Sequence, residues 1–373
     1  MSRWTPPGPG SERCRRGRSC GVGSWQHAPV TSAVIQRALS GDGDAFHELT
    51  APYAAELHRH CYRMLGSLTD ADDVLQEVLL AAWQGLNGFA GRSSLRTWLY
   101  RIATNRCLNA IRAGHRRPRP GPVPPFDAPA PSRRDAVSWL QPYPVGEWSA
   151  PAADPAARFE AQEAIRLAFV VALQRMPPRQ TAALLLCDVL AFSPAETAAM
   201  LETTSTSVKG LLQRARASLD GDLASGAEHR PDEDEDALAR RFADAFARDD
   251  VAALVALLTD DAWLAMPPAP HEYLGVPAIG SFLQASLSWR VGRGLELLPT
   301  RANGQPAFVC VLPDDGGPGP RSLGLVVLTM TGDRISRITR FLDAAVTERF
   351  RGTREGLCHL GDQNALVAVT PSG

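Results

Sequence analysis

The sequence predicts a multidomain chain, with two all-α domains followed by an α+β domain. Three observations predict this. Two blocks carry apolar residues at helical steps of three and four. A proline-rich stretch and a five-residue acidic run interrupt the pattern. Beyond about residue 290 the apolar residues fall into short runs parted by Gly and Pro. The length of 373 residues agrees, since ~150 residues per domain gives two to three domains.

Residues 1–29 hold Arg, Gly and Pro without apolar periodicity and read as a disordered extension. They lack the apolar h-region of a secretory signal, and a product starting near Val30 would lose nothing foldable. The first helical domain is read over 30–114. Ala45, Phe46, Leu49, Tyr53, Leu57, Cys61 and Leu65 mark one helix, which ends at Gly66-Ser67. Asp70 is the expected N-cap of the next, with Val74, Leu75, Val78 and Ala82 as its apolar face. A glycine-rich loop leads to a third, capped at Ser93 or Ser94, with Leu95, Leu99, Ile102 and Ala103 inward and Trp98 read as core.

Residues 115–153 form a proline-rich linker whose aromatics, Trp139, Tyr143 and Trp148, suggest that part of it docks. The second helical domain spans 154–222 and opens on the Asp154-Pro155 pair. Ala161, Ala164 and Ile165 begin its apolar face, and Thr181–Leu190 is a helix. Ser193 and Glu196 form a capping box before a short helix, and a turn then leads to a helix from about Ser205 to Leu219. Two short helices so joined read as helix-turn-helix. An acidic linker, 223–235, precedes the α+β domain at 236–350. There Ala237–Leu258 and Ile279–Leu287 read as helices, and 295–298, 307–312, 323–330 and 334–341 as strands. Residues 351–373 read as a weakly structured tail.

No apolar run approaches the ~20 residues of a membrane span. Seven cysteines without a C-x-x-C point to reduced thiols in a cytosol. The net charge of −1 hides an asymmetry, since Arg101–Pro120 holds six Arg and no acid. Such a run suggests an anionic partner. In the last helix of the second domain, Ser205, Thr206, Lys209, Gln213, Arg214 and Arg216 are left outward, with no acid before Asp220. A DNA-recognition helix needs that pattern, with polar groups for base edges and basic groups for guanine or phosphate. Arg92, Arg96, Arg101, Thr104, Asn105, Asn109 and Arg112 form a second basic and polar surface, suited to a backbone and unstacked bases. Asp72, Asp73, Gln76 and Glu77 give the preceding helix an acidic face. That face suits either a basic protein partner or plain solvation at a helix N-terminus. His58, His60 and Cys61 have partial ligand spacing, but a second pair is missing, so neither metal nor cofactor is expected. Neither G-x-S-x-G, Walker A nor H-E-x-x-H is present, and no catalytic residue is assigned.

The order DADDVLQE, then SSLRTWLYRIATNR, then a helix-turn-helix ending STSVKGLLQRARASL resembles the extracytoplasmic-function (ECF) sigma factors of the sigma-70 family. The resemblance implies a sigma-2 domain that binds core RNA polymerase and reads the −10 element, and a sigma-4 domain that reads the −35 element. Under it, Asp73, Gln76 and Glu77 dock on the clamp helices of the β′ subunit. The stretch Asn87–Arg112 holds −10 bases, and Lys209, Gly210, Gln213 and Arg214 lie on −35-reading positions. Sigma-4 also packs on the β flap, and the linker threads toward the RNA exit path. Gly210 and Leu211 depart from the polar residues usual after Lys209, and Gly costs a helix ~1 kcal/mol. The C-terminal segments LLTDDAWLAMPP, YLGVPAIGSFL and RISRITRFLD resemble a SnoaL-like domain, a cone-shaped α+β barrel with a pocket. The domain is expected to regulate the factor, through a small ligand or by gating polymerase binding. Two alternatives stand beside this: a stand-alone helix-turn-helix regulator, and a SnoaL-like enzyme using Asp261, His271 and Asp343, fused to a DNA-binding part.

Overall fold

The computed structural model describes residues 32–89, 91, 93–114, 124–133, 137, 139–144, 166–223, 233–290, 295–312 and 321–350. The expectations for the two termini, Arg92, the Asp154-Pro155 cap and Ala161–Ile165 lie outside the described residues. The chain forms two compact units. One holds Met1–Met64, Ala71–Ala110 and Met176–Ala224, and the other Leu65–Asp70, Ile111–Arg175 and Ser225–Gly373.

In the first unit, α1 (Ser32–Leu39), α2 (Gly43–Leu65), α3 (Leu68–Gly85) and α4 (Leu95–Ala113) follow the apolar spacing. Leu49, Leu57 and Cys61 of α2, Val74, Val78 and Ala82 of α3, and Leu99, Ala103 and Cys107 of α4 are all buried. The cap of α3 differs from expectation. Gly66 takes a positive φ at the corner, so the helix starts earlier, and Ser67 Oγ accepts from the Asp70 N–H at 3.2 Å. Asp70 lies inside the first turn rather than before it.

Helix α5 (Leu167–Arg175) belongs to the second unit, where the Leu167 N–H donates to Gln305 Oε1 at 3.0 Å. The first unit contains α6 (Pro178–Leu184), a π-helical turn (Leu185–Val189), α7 (Pro194–Met200) and α8 (Ser205–Leu223). The capping box is present at α7: Ser193 Oγ accepts from the Glu196 N–H, and the Glu196 carboxylate accepts from the Ser193 N–H at 2.9 Å.

In the second unit the single helix expected over 237–258 is two, α9 (Glu233–Ala247) and α10 (Val251–Ala256). Asp249 turns left-handed at φ 54°, and the Asp250 carboxylate caps α10 through the Ala253 N–H. Two strands then appear that were not expected, β1 (Leu258–Met266) and β2 (Ala269–Leu274). Helix α11 (Val276–Arg290) and strands β3 (Glu296–Ala302), β4 (Gln305–Leu312), β5 (Arg321–Thr331) and β6 (Arg334–Phe341) complete the domain before α12 (Ala344–Glu348). The sheet order is β2-β1-β6-β5-β4-β3, parallel only between β1 and β6. Phe242, Phe246, Leu254, Ile279 and Phe282 of the helices pack with Leu264, Phe308, Val326, Leu328 and Ile338 of the strands. A Cβ at Gly324 would meet the Phe341 carbonyl, so the β5–β6 pairing requires glycine there.

Candidate nucleic-acid interface

Helix α8 buries Val208, Leu212, Ala215 and Leu219 and exposes Ser205, Thr206, Lys209, Gln213 and Arg214. Its start is fixed by Thr204, whose Oγ1 accepts from the Ser207 N–H at 3.2 Å. The Arg179 guanidinium donates to the Leu201 carbonyl at 2.6 Å and closes the end of α7. Around half-buried Gly210 the nearest atom to an added Cβ is Arg214 Nη1, at 3.6 Å, so the glycine leaves room beside that guanidinium.

Arg216 is placed differently from the expectation that it contacts DNA. Its guanidinium forks onto Asp188, with Nε and Nη2 donating to the two carboxylate oxygens at 2.9 and 2.7 Å. The Asp188 side chain is only 7% exposed. The hydrogen bond and charge of Asp188 raise the Arg216 pKa. The π-helical turn brings Asp188 beneath α8, so the pair ties the recognition helix to the helix before it.

On α4, Arg101, Asn109 and Arg112 are exposed, and Asn105 is half-buried. Arg101, Asn105, Arg106, Asn109, Trp98 and Gly85 line an open groove of about 480 Å³ between α3 and α4. Trp98 also packs on Phe89, with ring centres 5.1 Å apart. Thr104 is corrected: it is fully buried, and its hydroxyl bonds His60 Nε2 at 2.9 Å. It faces α2, away from the groove. His60 is held neutral, its pKa lowered to about 3 first by burial and then by the Arg63 and Arg96 charges. Beside it the buried Tyr100 hydroxyl has no hydrogen-bond partner among the described residues.

The structure also joins α4 to the helix-turn-helix block. The Arg96 guanidinium lies 4.7 Å from the Phe192 ring centre and 4.9 Å from that of Tyr100. Tyr100 and Phe192 meet edge to face at 5.3 Å. Asn105 Nδ2 approaches the Met200 carbonyl at 3.5 Å, and Arg101 stands 3.8 Å from Glu202.

On α3, Asp73, Gln76 and Glu77 are exposed, with Glu77 3.7 Å from Arg106. Asp72 is instead 2.8 Å from the buried His58 imidazole and ties α3 to α2. Sequence reasoning missed Leu80, which is 57% exposed and stands one turn beyond Gln76 and Glu77. Its signal was that Leu80 falls outside the Val74, Val78, Ala82 stripe.

The three residues weighed for chemistry in the C-terminal domain are not assembled. Asp261 is exposed on β1, and His271 pairs near the far end of that strand, roughly 15 Å along at 3.3 Å per residue. His271 faces a cavity of about 30 Å³ shared with Arg175, Glu272, Arg337 and Thr339, which neither Asp261 nor Asp343 lines. Asp343 gives its carbonyl to the Thr347 hydroxyl at 2.7 Å, at the start of α12. Among the described residues no group of three His, Cys, Asp or Glu side chains has metal-binding geometry. No helix among them is long and apolar enough to cross a membrane.

Comparison with known proteins matches residues 49–117 to the Sigma-70 region 2 model and 166–219 to the Sigma-70 region 4 model. The ECF RNA polymerase sigma factor SigG of Mycobacterium tuberculosis is 43% identical over 312 residues, covering 82% of this chain and 83% of that protein. SigM of the same species is 30% identical over 194 residues, covering 52% of this chain and 85% of that one. The crystal structure of the M. tuberculosis ECF sigma factor SigJ superposes with a TM-score of 0.54 at 23% identity, covering 78% of this chain and 94% of that one. That match speaks to the fold.

Proposed function

Since the chain belongs to the ECF sigma factors of the sigma-70 family, which bind core RNA polymerase and direct promoter-specific initiation, we propose how its residues divide that work. Lys209, Gln213 and Arg214, with Ser205 and Thr206, read the −35 element, and the space beside Gly210 lets α8 approach closely. Arg101, Asn105, Asn109 and Arg112 bind the −10 element along the α4 groove. Asp73, Gln76 and Glu77 dock on the polymerase β′ clamp helices. The factor makes and breaks no covalent bond and works with polymerase in the cytoplasm. Promoter melting costs ~1.4 kcal/mol per base step, offset by captured bases and phosphate contacts.

The observation that carries the −35 assignment is α8 itself: an outer face free of acid before Asp220, on a helix whose start is capped and whose inner face is buried. The test is reconstituted transcription with core polymerase. Lys209→Ala with Arg214→Ala abolishes promoter choice but spares core binding. Asp73→Ala, Gln76→Ala and Glu77→Ala together abolish core binding. If the first variant initiates from the same promoters as wild type, the −35 assignment falls. If the second binds core normally, the docking assignment falls.

The C-terminal domain is read as a regulator rather than an enzyme. The separation of Asp261, His271 and Asp343 and the aromatic filling of its interior support that reading. A chain ending before Glu233 should initiate at a different rate from the full chain on the same promoter, and equal rates would remove the regulatory role.

A further inference from the structure

The groove between α3 and α4 has two ends of different chemistry. Ala81 and Gly85 of α3, and Trp98, Ile102 and Arg106 of α4, recur at steps of four, so each set lies on one helix face, and both sets line the groove. Glu77 continues the α3 set by one more turn. At one end Gly85 meets Trp98, where an added Cβ would sit 3.5 Å from the indole ring. At the other end, eight residues along each helix and roughly 12 Å away at 1.5 Å per residue, Glu77 stands 3.7 Å from Arg106. Ala81 and Gly85 have little or no side chain, so the α3 wall is low until Glu77 ends it.

Arg106 is absent from the −10 contacts assigned above, yet it lines the groove between Asn105 and Asn109. Its side chain is 44% exposed, and among the described residues Glu77 is its only partner. The contact is ionic and too long for a hydrogen bond, so none of the guanidinium N–H donors is spent on the protein among those residues. Arg216 is the contrast, forked onto a nearly buried carboxylate at 2.7 and 2.9 Å. An arginine held so loosely beside an open groove can exchange one oxyanion for another, and a guanidinium grips phosphate with the same fork that it offers a carboxylate. The Glu77 side chain is 58% exposed, so nothing buried has to open for the exchange.

We propose that Arg106 is a phosphate-binding residue of the −10 site, and that in the free factor the Glu77 carboxylate stands in the phosphate's place. This rests on the reading of the groove as the −10 site, and adds to it one contact and the side chain that competes for it. A single strand laid along α4 passes the Trp98 ring at one end and gives a phosphate to Arg106 at the other.

The test uses the full chain without polymerase, because Glu77 is also assigned to docking. The probe is a labelled oligothymidylate of about twelve nucleotides, since a phosphate contact is made on any sequence. Both side chains are exposed, so neither substitution empties the core. Glu77→Gln should tighten binding about threefold, the order expected for an exposed ion pair that no longer competes. Arg106→Gln should weaken binding, and in the Glu77→Gln background it should lower the slope of log affinity against log salt by about 0.7, one phosphate on a single strand. In the Arg106→Gln background Glu77→Gln should lose its effect, whereas plain repulsion between Glu77 and the strand predicts the same gain in both backgrounds. Equal gains with and without Arg106, or a salt slope that Arg106→Gln leaves unchanged, overturn the proposal. Arg101→Gln separates the proposal from its premise. If it weakens binding while Glu77→Gln and Arg106→Gln act additively, the groove stays the −10 site and the exchange at Arg106 falls. If neither Arg101→Gln nor Arg106→Gln weakens binding, the −10 reading of the groove falls.

Discussion

At Arg216 the same charge that suggests a DNA contact serves the protein instead. A fork to a carboxylate that is 7% exposed leaves the guanidinium committed, whereas Lys209 is exposed and pairs with no carboxylate among the described residues. The two residues therefore separate in a salt titration. Lys209→Ala should reduce the slope of log affinity against log salt by about 0.9, the loss of one phosphate contact. Arg216→Gln should leave the slope unchanged and lower stability by on the order of 1–2 kcal/mol, because the Asp188 carboxylate loses its partner. Filter-binding and denaturant curves measure the two effects, and a salt slope lowered by Arg216→Gln would return that residue to the DNA face. His60 makes a pH prediction. Its folded pKa of about 3 lies below the unfolded 6.5, so the unfolded chain takes the proton first. The contribution is complete above the unfolded value and is lost as pH falls toward the folded one, at ~1.4 kcal/mol per pH unit. The protection factors of the α4 amides, taken relative to the intrinsic exchange rate at each pH, should fall between about pH 6 and 4, and His60→Gln should flatten that dependence. An unchanged profile would place the acid limit on another group.

Element boundaries were legible wherever one side chain closes a local hydrogen bond. Ser193 and Glu196 declare the start of α7 three residues apart, and the structure contains both bonds. Asp70 was misread because the competing cap, Ser67, depends on Gly66 taking a positive φ, which the residue permits but does not require. Strands β1 and β2 were not legible. Asp260 and Asp261 interrupt the apolar alternation of β1, and Pro267-Pro268 reads as a break rather than as the turn between paired strands. Of the site, the outer face of α8 could be read from spacing alone, whereas the inward place of Thr104 depends on His60, 44 residues away. Gly210 carries a prediction at this scale. An added Cβ would sit 3.6 Å from Arg214 Nη1, an ordinary contact, so Gly210→Ala should stabilise α8 by up to about 1 kcal/mol. Thermal unfolding measures the gain and a −35 duplex binding assay the consequence. If alanine stabilises the helix yet weakens DNA binding, the glycine serves close approach to the promoter.

Across the first unit, the arrangement bears on how a promoter gains access. Three of the residues read as −10 contacts, Arg96, Arg101 and Asn105, together with the neighbouring Tyr100, face Phe192, Met200 and Glu202. A ring contact and a cation over an aromatic face are each worth about 1 kcal/mol, while the exposed Arg101–Glu202 pair adds little. The contact is therefore modest, and DNA that competes for the same α4 surface can part it. While it is closed, the apparent affinity for −10 DNA is reduced by the fraction of open molecules. Phe192→Leu keeps an apolar residue in the buried position and removes the ring. Losing both contacts, about 2 kcal/mol, should raise the free protein's affinity for a single-stranded −10 oligonucleotide by up to roughly thirtyfold, read by fluorescence anisotropy. Bound to core polymerase, where the two blocks engage separate promoter elements, the same variant should match wild type. Equal affinities of free wild type and variant would mean that this contact does not limit access, and a gain in both states would mean that Phe192 acts on DNA binding by some route other than closure.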